Sequence, residues 1–194
     1  TATTAIFQSA LNTYKVVYAP KGTYNICNLQ FNADSQVLLG DGVGNTVFQC
    51  STASQNIINL VGLINNNEVG RFSCSRTSSI TPTLPGACIG NSNADTTQWG
   101  GAKIHDIQSN NDYNGFMLGM TNFAFGWNLD AENSYNDGFF FFGDATNPLQ
   151  WNLTNVSVGK PNANCFEISL TNIQTPLELW NGVFTFNCGS RGIY

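Results

Sequence analysis

Short motifs return along this chain at an almost constant interval, and that interval limits the fold more than anything else in the sequence. Cys27, Cys50 and Cys74 are spaced by 23 and 24 residues, and Cys165 and Cys188 by 23. Asp112-Tyr113-Asn114-Gly115-Phe116 is echoed by Tyr135-Asn136-Asp137-Gly138-Phe139, with Gly115 and Gly138 again 23 apart. Trp127-Asn128-Leu129 returns as Trp151-Asn152-Leu153 after 24 residues, and Ile104 lies 23 before Trp127. A period of this length marks a stacked repeat protein. One coil cannot bury its inward residues alone, whereas stacking pairs its backbone with the next coil and closes a continuous core.

The units between repeats are strands. Runs at 16–18, 24–31, 36–39, 46–50 and 57–61 are short, apolar-rich and bounded by Gly, Asn, Asp or Ser, which argues all-β. Asparagine is the commonest residue, and Asn and Gly tolerate the left-handed backbone that tight corners need. Ile, Leu, Phe and Cys are expected inside the coils, with Asn and Gly at the corners. Only residues 3–13 read as a helix, with Ile6, Phe7, Ala10 and Leu11 on one face. Such a helix would cover the open edge of the first coil.

The chain therefore reads as one domain over residues 1–194: a capping helix at 3–13, first coils at 14–75, an inserted loop at 76–101 and further coils at 102–194. The insertion breaks the period, carries Pro82, Pro85 and Trp99, and reads equally as a functional loop or a packing flap. The ending Arg191-Gly192-Ile193-Tyr194 resembles the start of another strand, so further coils or a capping partner are expected beyond it.

Charge excludes some functions. Charged residues are only 10% of the chain and its formal net charge is −5. Lys15, Lys21, Arg71, Arg76, Lys103, Lys160 and Arg191 are scattered singly, so no nucleic acid partner is expected. No apolar run approaches the ~20 residues of a membrane span, and no membrane insertion is expected. Six cysteines are compatible with disulfides in a secreted protein. Their coil-like spacing favours instead a stack of inward thiols, one per coil, packing as small hydrophobes. No CxxC pair suggests zinc.

The opening of the chain carries a resemblance. Val16-Val17-Tyr18, then Ala19-Pro20-Lys21-Gly22-Thr23-Tyr24, Val37-Leu38-Leu39-Gly40-Asp41-Gly42 and Asn45-Thr46-Val47-Phe48 follow the predicted helix. This resembles the start of the pectate-lyase-like superfamily of right-handed parallel β-helices, in detail over residues 3–48 and by period thereafter. The resemblance implies a right-handed parallel β-helix with a short capping helix. Its members include polysaccharide lyases, glycoside hydrolases and bacteriophage tailspikes. The Asn-, Ser-, Thr- and Gly-rich composition resembles a tail protein most. That implies a polysaccharide partner on a host surface, a homotrimer, other virion tail proteins as neighbours, and a virion-tail or extracellular location. A structural shaft without a sugar site and a secreted polysaccharide hydrolase or lyase are the alternatives.

Glycoside hydrolysis needs two carboxyl groups about 5–9.5 Å apart. Asp106 and Asp130 are 24 residues apart, on neighbouring rungs, with Glu132 and Asp137 in the same coil. These four are the catalytic candidates, and Asp112 precedes them as a corner residue. Trp99, Tyr113, Tyr135 and Trp180 are the candidate sugar platforms. Trp127 and Trp151 are expected to stack on each other inside the core. His105 adjoins Asp106 and suits a base, but neighbouring strand residues face opposite ways, so a solvent-facing histidine is expected. Lyase members of the family use clustered carboxylates around calcium, and no such cluster stands beside Lys103 or Arg71. No metal or cofactor is expected. Asn152-Leu153-Thr154 and Asn155-Val156-Ser157 match glycosylation sequons, as chance allows in an Asn-rich chain.

Overall fold

Short β-branched and aromatic runs separated by corner residues pair in parallel, coil upon coil. The computed structural model describes residues 2–61, 64–90, 99–119, 121–143, 149–170 and 179–191. After helix α1 (Ala2–Tyr14), the first coil holds β1 (Val16–Ala19), β2 (Gly22–Asn25) and β3 (Leu29–Phe31). The second holds β4 (Val37–Gly40), β5 (Thr46–Cys50) and β6 (Ile58–Leu60). The third holds β7 (Ile64–Asn65), β8 (Glu68–Arg76) and β9 (Ile89–Gly90), and the fourth β10 (Trp99–Gly100), β11 (Lys103–Asn110) and β12 (Phe116–Leu118). Then come β13 (Thr121–Glu132) with β14 (Phe139–Gly143), β15 (Leu149–Gly159) with β16 (Phe166–Leu170), and β17 (Leu179–Phe186).

Two parallel sheets result. One runs β1-β4-β8-β11-β13-β15-β17, with β2-β5 and β7-β10 joining its longer strands; the other runs β3-β6-β9-β12-β14-β16. A residue in the left-handed conformation bends the long strands of the first sheet into two walls: Arg71 (φ 67°), Asp106, Asn128 and Asn155 (each 52°) and Gly182 (67°). We call the parts before and after this bend the first and second walls, and the other sheet the third. A further left-handed residue (Asn111, Asn133, Lys160, Asn187) leaves the second wall in each later coil. The architecture is a right-handed parallel β-helix with an N-terminal capping helix, as the family resemblance implied.

The interior is built of side-chain columns. Leu29, Ile58, Ile89, Phe116, Phe139 and Phe166 lie in register and fully buried. The rings of Phe116, Phe139 and Phe166 stack at 4.7 and 5.0 Å, each pair adding about 0.5–1.5 kcal/mol beyond area burial. Gly115 and Gly138 recur because a Cβ there would meet backbone oxygen of the next coil, Gly138 O and Cys165 O respectively.

Helix α1 closes the first coil. Phe7 meets Tyr24 and Phe48 edge-on, and Leu11 is fully buried. Gln8 bonds the open edge of β3 twice: its Nε2–H donates to Gln30 O (2.9 Å), and Gln30 N–H donates to its Oε1 (2.8 Å). The expected apolar face is narrower than the sequence suggests, since Ile6 is 67% exposed. The insertion at 76–101 is not simply a loop off the wall. It contributes β9 to the third wall and β10 to the first sheet.

Two expectations are corrected by register. The cysteines are not stacked thiols but three disulfides: Cys27–Cys50, Cys74–Cys88 and Cys165–Cys188, with Cα–Cα distances of 5.0, 5.5 and 5.3 Å. No cysteine is free. Cys74 stands opposite Phe48, not Cys50, so the three cysteines never formed one column. Neighbouring coils lie close enough for a bridge across one period. Likewise Trp127 lies opposite His105 and Thr154, while Trp151 lies opposite Ala124. Trp151 is core and packs against Phe141, but Trp127 is on the outer face. The offset is three residues, and any odd offset reverses the side chain's face.

Alkylation of the native protein should therefore label no cysteine, and reduction under denaturing conditions should expose six, read by intact mass. Removing the 23-residue crosslink with Cys27→Ala and Cys50→Ala should cost about 3 kcal/mol of unfolding free energy in denaturant titration.

Candidate functional site

The outer faces carry two polar assemblies on different walls. On the first wall, the left-handed bend at Asp106 breaks strand alternation and turns Asp106 outward beside His105. The His105 ring is only 7% exposed, not solvent-facing. Its Nδ1 meets Asp106 Oδ2 at 2.8 Å, its Nε2 meets Glu68 Oε1 at 3.2 Å, and Trp127 stacks flat on it at 4.4 Å. Asn155 Nδ2–H donates to Asn128 Oδ1 (2.7 Å) and Asn128 Nδ2–H to Asp106 Oδ1 (2.6 Å), an amide ladder along the bend. Burial works against the Asp106 anion, but hydrogen bonds from Asn128 and His105 outweigh it and hold its carboxyl below the ordinary range.

Asp130 and Glu132 share the outer face of the second wall. Asp130 accepts from Gln108 Nε2 (3.0 Å) and Ser157 Oγ (2.6 Å), its rung neighbours. Glu132 is raised by partial burial and by the Asp130 charge, with Lys160 opposing. Asp106 and Asp130 are thus on adjacent coils, yet they belong to different columns, each tied into its own ladder.

The second assembly is a cleft of about 150 Å³ on the third wall, lined by Leu84, Tyr113, Asn114, Asn136, Asp137, Phe140 and Glu167. The corner entering the third wall supplies most of it. Asp137 is fully buried at the corner, and Asn164 N–H donates to its Oδ1 (2.9 Å). Asn136 Nδ2–H donates to Asp137 Oδ2 (2.7 Å), and Asn114 Oδ1 accepts from Asp137 N–H (3.2 Å). Glu167 lies on β16 opposite Phe140 of β14, on the outer column. Its Oε2 accepts from Asn164 Nδ2–H (3.0 Å). Burial first, then the charge of Glu167 and a hydrogen bond with it, push Asp137 up to about 6, against the pull of the Asn164 N–H. The Glu167 charge thus favours the protonated form of Asp137. Phe140 and Phe142 stack at 5.7 Å on the same face.

Behind the cleft, a buried ion pair braces Tyr113. Arg76 Nε–H donates to Asp112 Oδ1 at 2.7 Å, and its other nitrogens donate to Thr52 O and Ala87 O. Ser109 Oγ–H also donates to Asp112 (2.6 Å). Burial nevertheless raises Asp112 to about 6, with Arg76 opposing.

Of the candidates read from sequence, Asp137 and Tyr113 come together in this cleft. Asp106, Asp130 and Glu132 line the other walls. Tyr135 is 42% exposed and does not line the cleft. Trp99 and Trp180 stand in β10 and β17, but their side chains lie outside the described residues. Glu167 and the Arg76–Asp112 pair were missed. Aligning Gly115-Phe116, Gly138-Phe139 and Cys165-Phe166 would have placed Glu167 beside Met117 and Phe140. Nothing in the sequence pairs Arg76 with Asp112. A larger hollow outside α1, lined by Ala5, Ile6, Ser9, Ala10, Thr13 and Tyr14, holds no acid–base pair. Among the described residues, no cluster of three His, Cys, Asp or Glu is set to hold a metal ion.

No protein-family model matches the sequence, and no curated protein matches it significantly. Solved structures do resemble it. The A-module of the Azotobacter vinelandii mannuronan C-5 epimerase AlgE4 superposes with a TM-score of 0.63 at 13% identity, over 97% of this chain and 65% of that one. The AlgE6 A-module gives 0.64 at 14%, over 96% and 65%. The catalytic unit of a GH87 α-1,3-glucanase from Streptomyces thermodiastaticus gives 0.57 at 17%, over 98% of this chain and 39% of that one. At these identities the likeness is one of fold: the chain shares the parallel β-helix of these proteins and spans only part of their length.

Two buried carboxyls with raised values set a pH dependence. Asp112 and Asp137 are protonated in both folded and unfolded chains below their ordinary range near 4. Between about 4 and 6 the unfolded chain gives up those protons more readily than the folded one. Their contribution to stability is therefore full below pH 4 and lost as pH rises through 6. The melting temperature should fall between pH 5 and pH 7.5, and Asp137→Asn should flatten that fall, read by thermal unfolding across a pH series.

Proposed function

We propose that the protein is a secreted polysaccharide-processing β-helix whose chemistry takes place in the third-wall cleft. The observation that carries this reading is the Asp137–Glu167 dyad, opening between Tyr113 and Phe140. Asp137 is fully buried, so the proton it still holds near pH 6 reaches a glycosidic oxygen through Glu167, the partly exposed member of the pair, as the C–O bond breaks and water adds to the anomeric carbon, its proton passing to solvent. Hydrogen-bonded carboxyls are closer than the 5 Å or more that separates the acid and its partner in two-carboxylate glycosidases. The dyad therefore works as one acid unit, with Glu167 keeping the proton on Asp137. Aromatic faces hold the apolar side of a sugar, and the partly exposed Asn136 its hydroxyls. Folds like this one serve an epimerase of mannuronan and an α-1,3-glucanase, which supports a glycan as the ligand.

The three disulfides favour secretion into an oxidising compartment over assembly in a reducing cytosol. A free secreted enzyme is thus preferred to a virion tail component. The tailspike role and the homotrimer rest on family resemblance alone. A plain structural shaft has no use for a buried dyad at a cleft.

Incubation with a panel of polysaccharides should release new reducing ends without ultraviolet-absorbing unsaturated products. Asp137→Asn and Glu167→Gln should lower that rate by about 100-fold or more, while Asp106→Asn and Asp130→Asn leave it within a few fold. The rate should decline above about pH 6, as Asp137 loses its proton. Full activity in Asp137→Asn, or loss confined to Asp130→Asn, would move the chemistry to the other walls.

A further inference from the structure

We infer that the third-wall cleft takes a neutral glycan and rejects polyuronates; this rests on the reading that the cleft is the glycan site. A chain of uronic acids carries a carboxylate on each residue and needs cations along its path. Seven basic residues serve the whole chain, and all lie among the described residues, so each can be placed. Lys15 and Lys21 flank β1 in the first coil. Arg71 is at the bend between the first and second walls, beside Asp106. Lys103 opens β11 on the first wall, opposite Glu68 and Phe125. Lys160 stands at the corner leaving the second wall, where its charge acts on Glu132. Arg191 is in the last turn described, its carbonyl accepting from Cys165 N–H (2.9 Å). That puts Arg191 one rung beyond Asn164 on the corner column, outside the cleft lining, while Arg76 is 4% exposed with its donors committed to Asp112, Thr52 and Ala87.

None of these lines the cleft, whose charged side chains are Asp137 and Glu167. A uronate placed against them would bring a further negative charge to a site already forced to retain a proton. Like charges set face to face across an interface are a rejecting element. What the cleft does offer is Tyr113 and Phe140 as flat apolar faces and the Asn136 amide. That set suits pyranose rings bearing hydroxyls only.

Binding of hexasaccharides to the full chain tests this. Neutral probes are maltohexaose, laminarihexaose, cellohexaose and an α-1,3-linked glucohexaose; acidic ones are oligogalacturonate and oligomannuronate of equal length, all measured calorimetrically at low and moderate salt. At least one neutral probe should bind, with little salt dependence, and Tyr113→Ala should weaken it at least about tenfold. Asp130→Asn, folded by circular dichroism, should retain neutral binding. The acidic probes should not bind. Uronate binding that Tyr113→Ala abolishes would overturn the neutral-glycan inference while leaving the cleft as the site. Uronate binding lost only in Arg71→Ala or Lys103→Ala would overturn both. So would neutral binding that Tyr113→Ala does not touch.

Discussion

One backbone event, repeated in each coil, holds the architecture together: a single residue takes the left-handed conformation and turns the strand from the first wall to the second. At Arg71, Asp106, Asn128, Asn155 and Gly182 this keeps successive strands in parallel register while the sheet bends. Asparagine and glycine accept that conformation at least cost, which explains an Asn-rich chain with so few charges. The amide ladder from Asn155 through Asn128 to Asp106 then ties the corners to one another. Because the bend interrupts alternation, it also puts Asp106 on the same side as His105, and so creates the only buried histidine assembly the chain can make with its single His.

The same register decides where chemistry is available. Corners entering the third wall align Asn114, Asp137 and Asn164, each bonded to the backbone or side chain of its neighbour. A carboxylate in a column of amides is deprived of water but still supplied with donors. Glu167, one wall position further on, adds a like charge. Cleft, dyad and aromatic faces therefore follow from stacking rather than from a special loop. The disulfides at Cys27–Cys50 and Cys165–Cys188 each pin two neighbouring coils together.

Much of this was legible in the sequence, and the misreadings have one physical cause. The period, the short strands, the capping helix and the Asn corners are local or repetitive signals, and each appears in the fold. Gly115 and Gly138 gave the third-wall register correctly because backbone packing leaves no room for a Cβ there. Spacing alone failed where the coil length changed. Trp127 pairs with Thr154, three residues beyond Trp151, so Trp127 and Trp151 fall out of register by an odd number and face opposite ways. The cysteines share the period but not one column: two pairs bridge neighbouring coils, and Cys74–Cys88 closes within a single coil. Arg76 and Asp112 are 36 residues apart with no repeat to link them, so their pairing was invisible. Asp106 and Asp130 looked paired because rungs were counted and columns were not.

The central claim is that the third wall, not the first or second, is where a glycan binds. A crystal structure of the protein soaked with a neutral oligosaccharide tests it most directly. Sugar density against Tyr113 and Phe140, with a hydroxyl or glycosidic oxygen within hydrogen-bond reach of Glu167, is the predicted result. Density lying instead across Trp127 and the Asp130–Glu132 face, with an empty third-wall cleft, would contradict it.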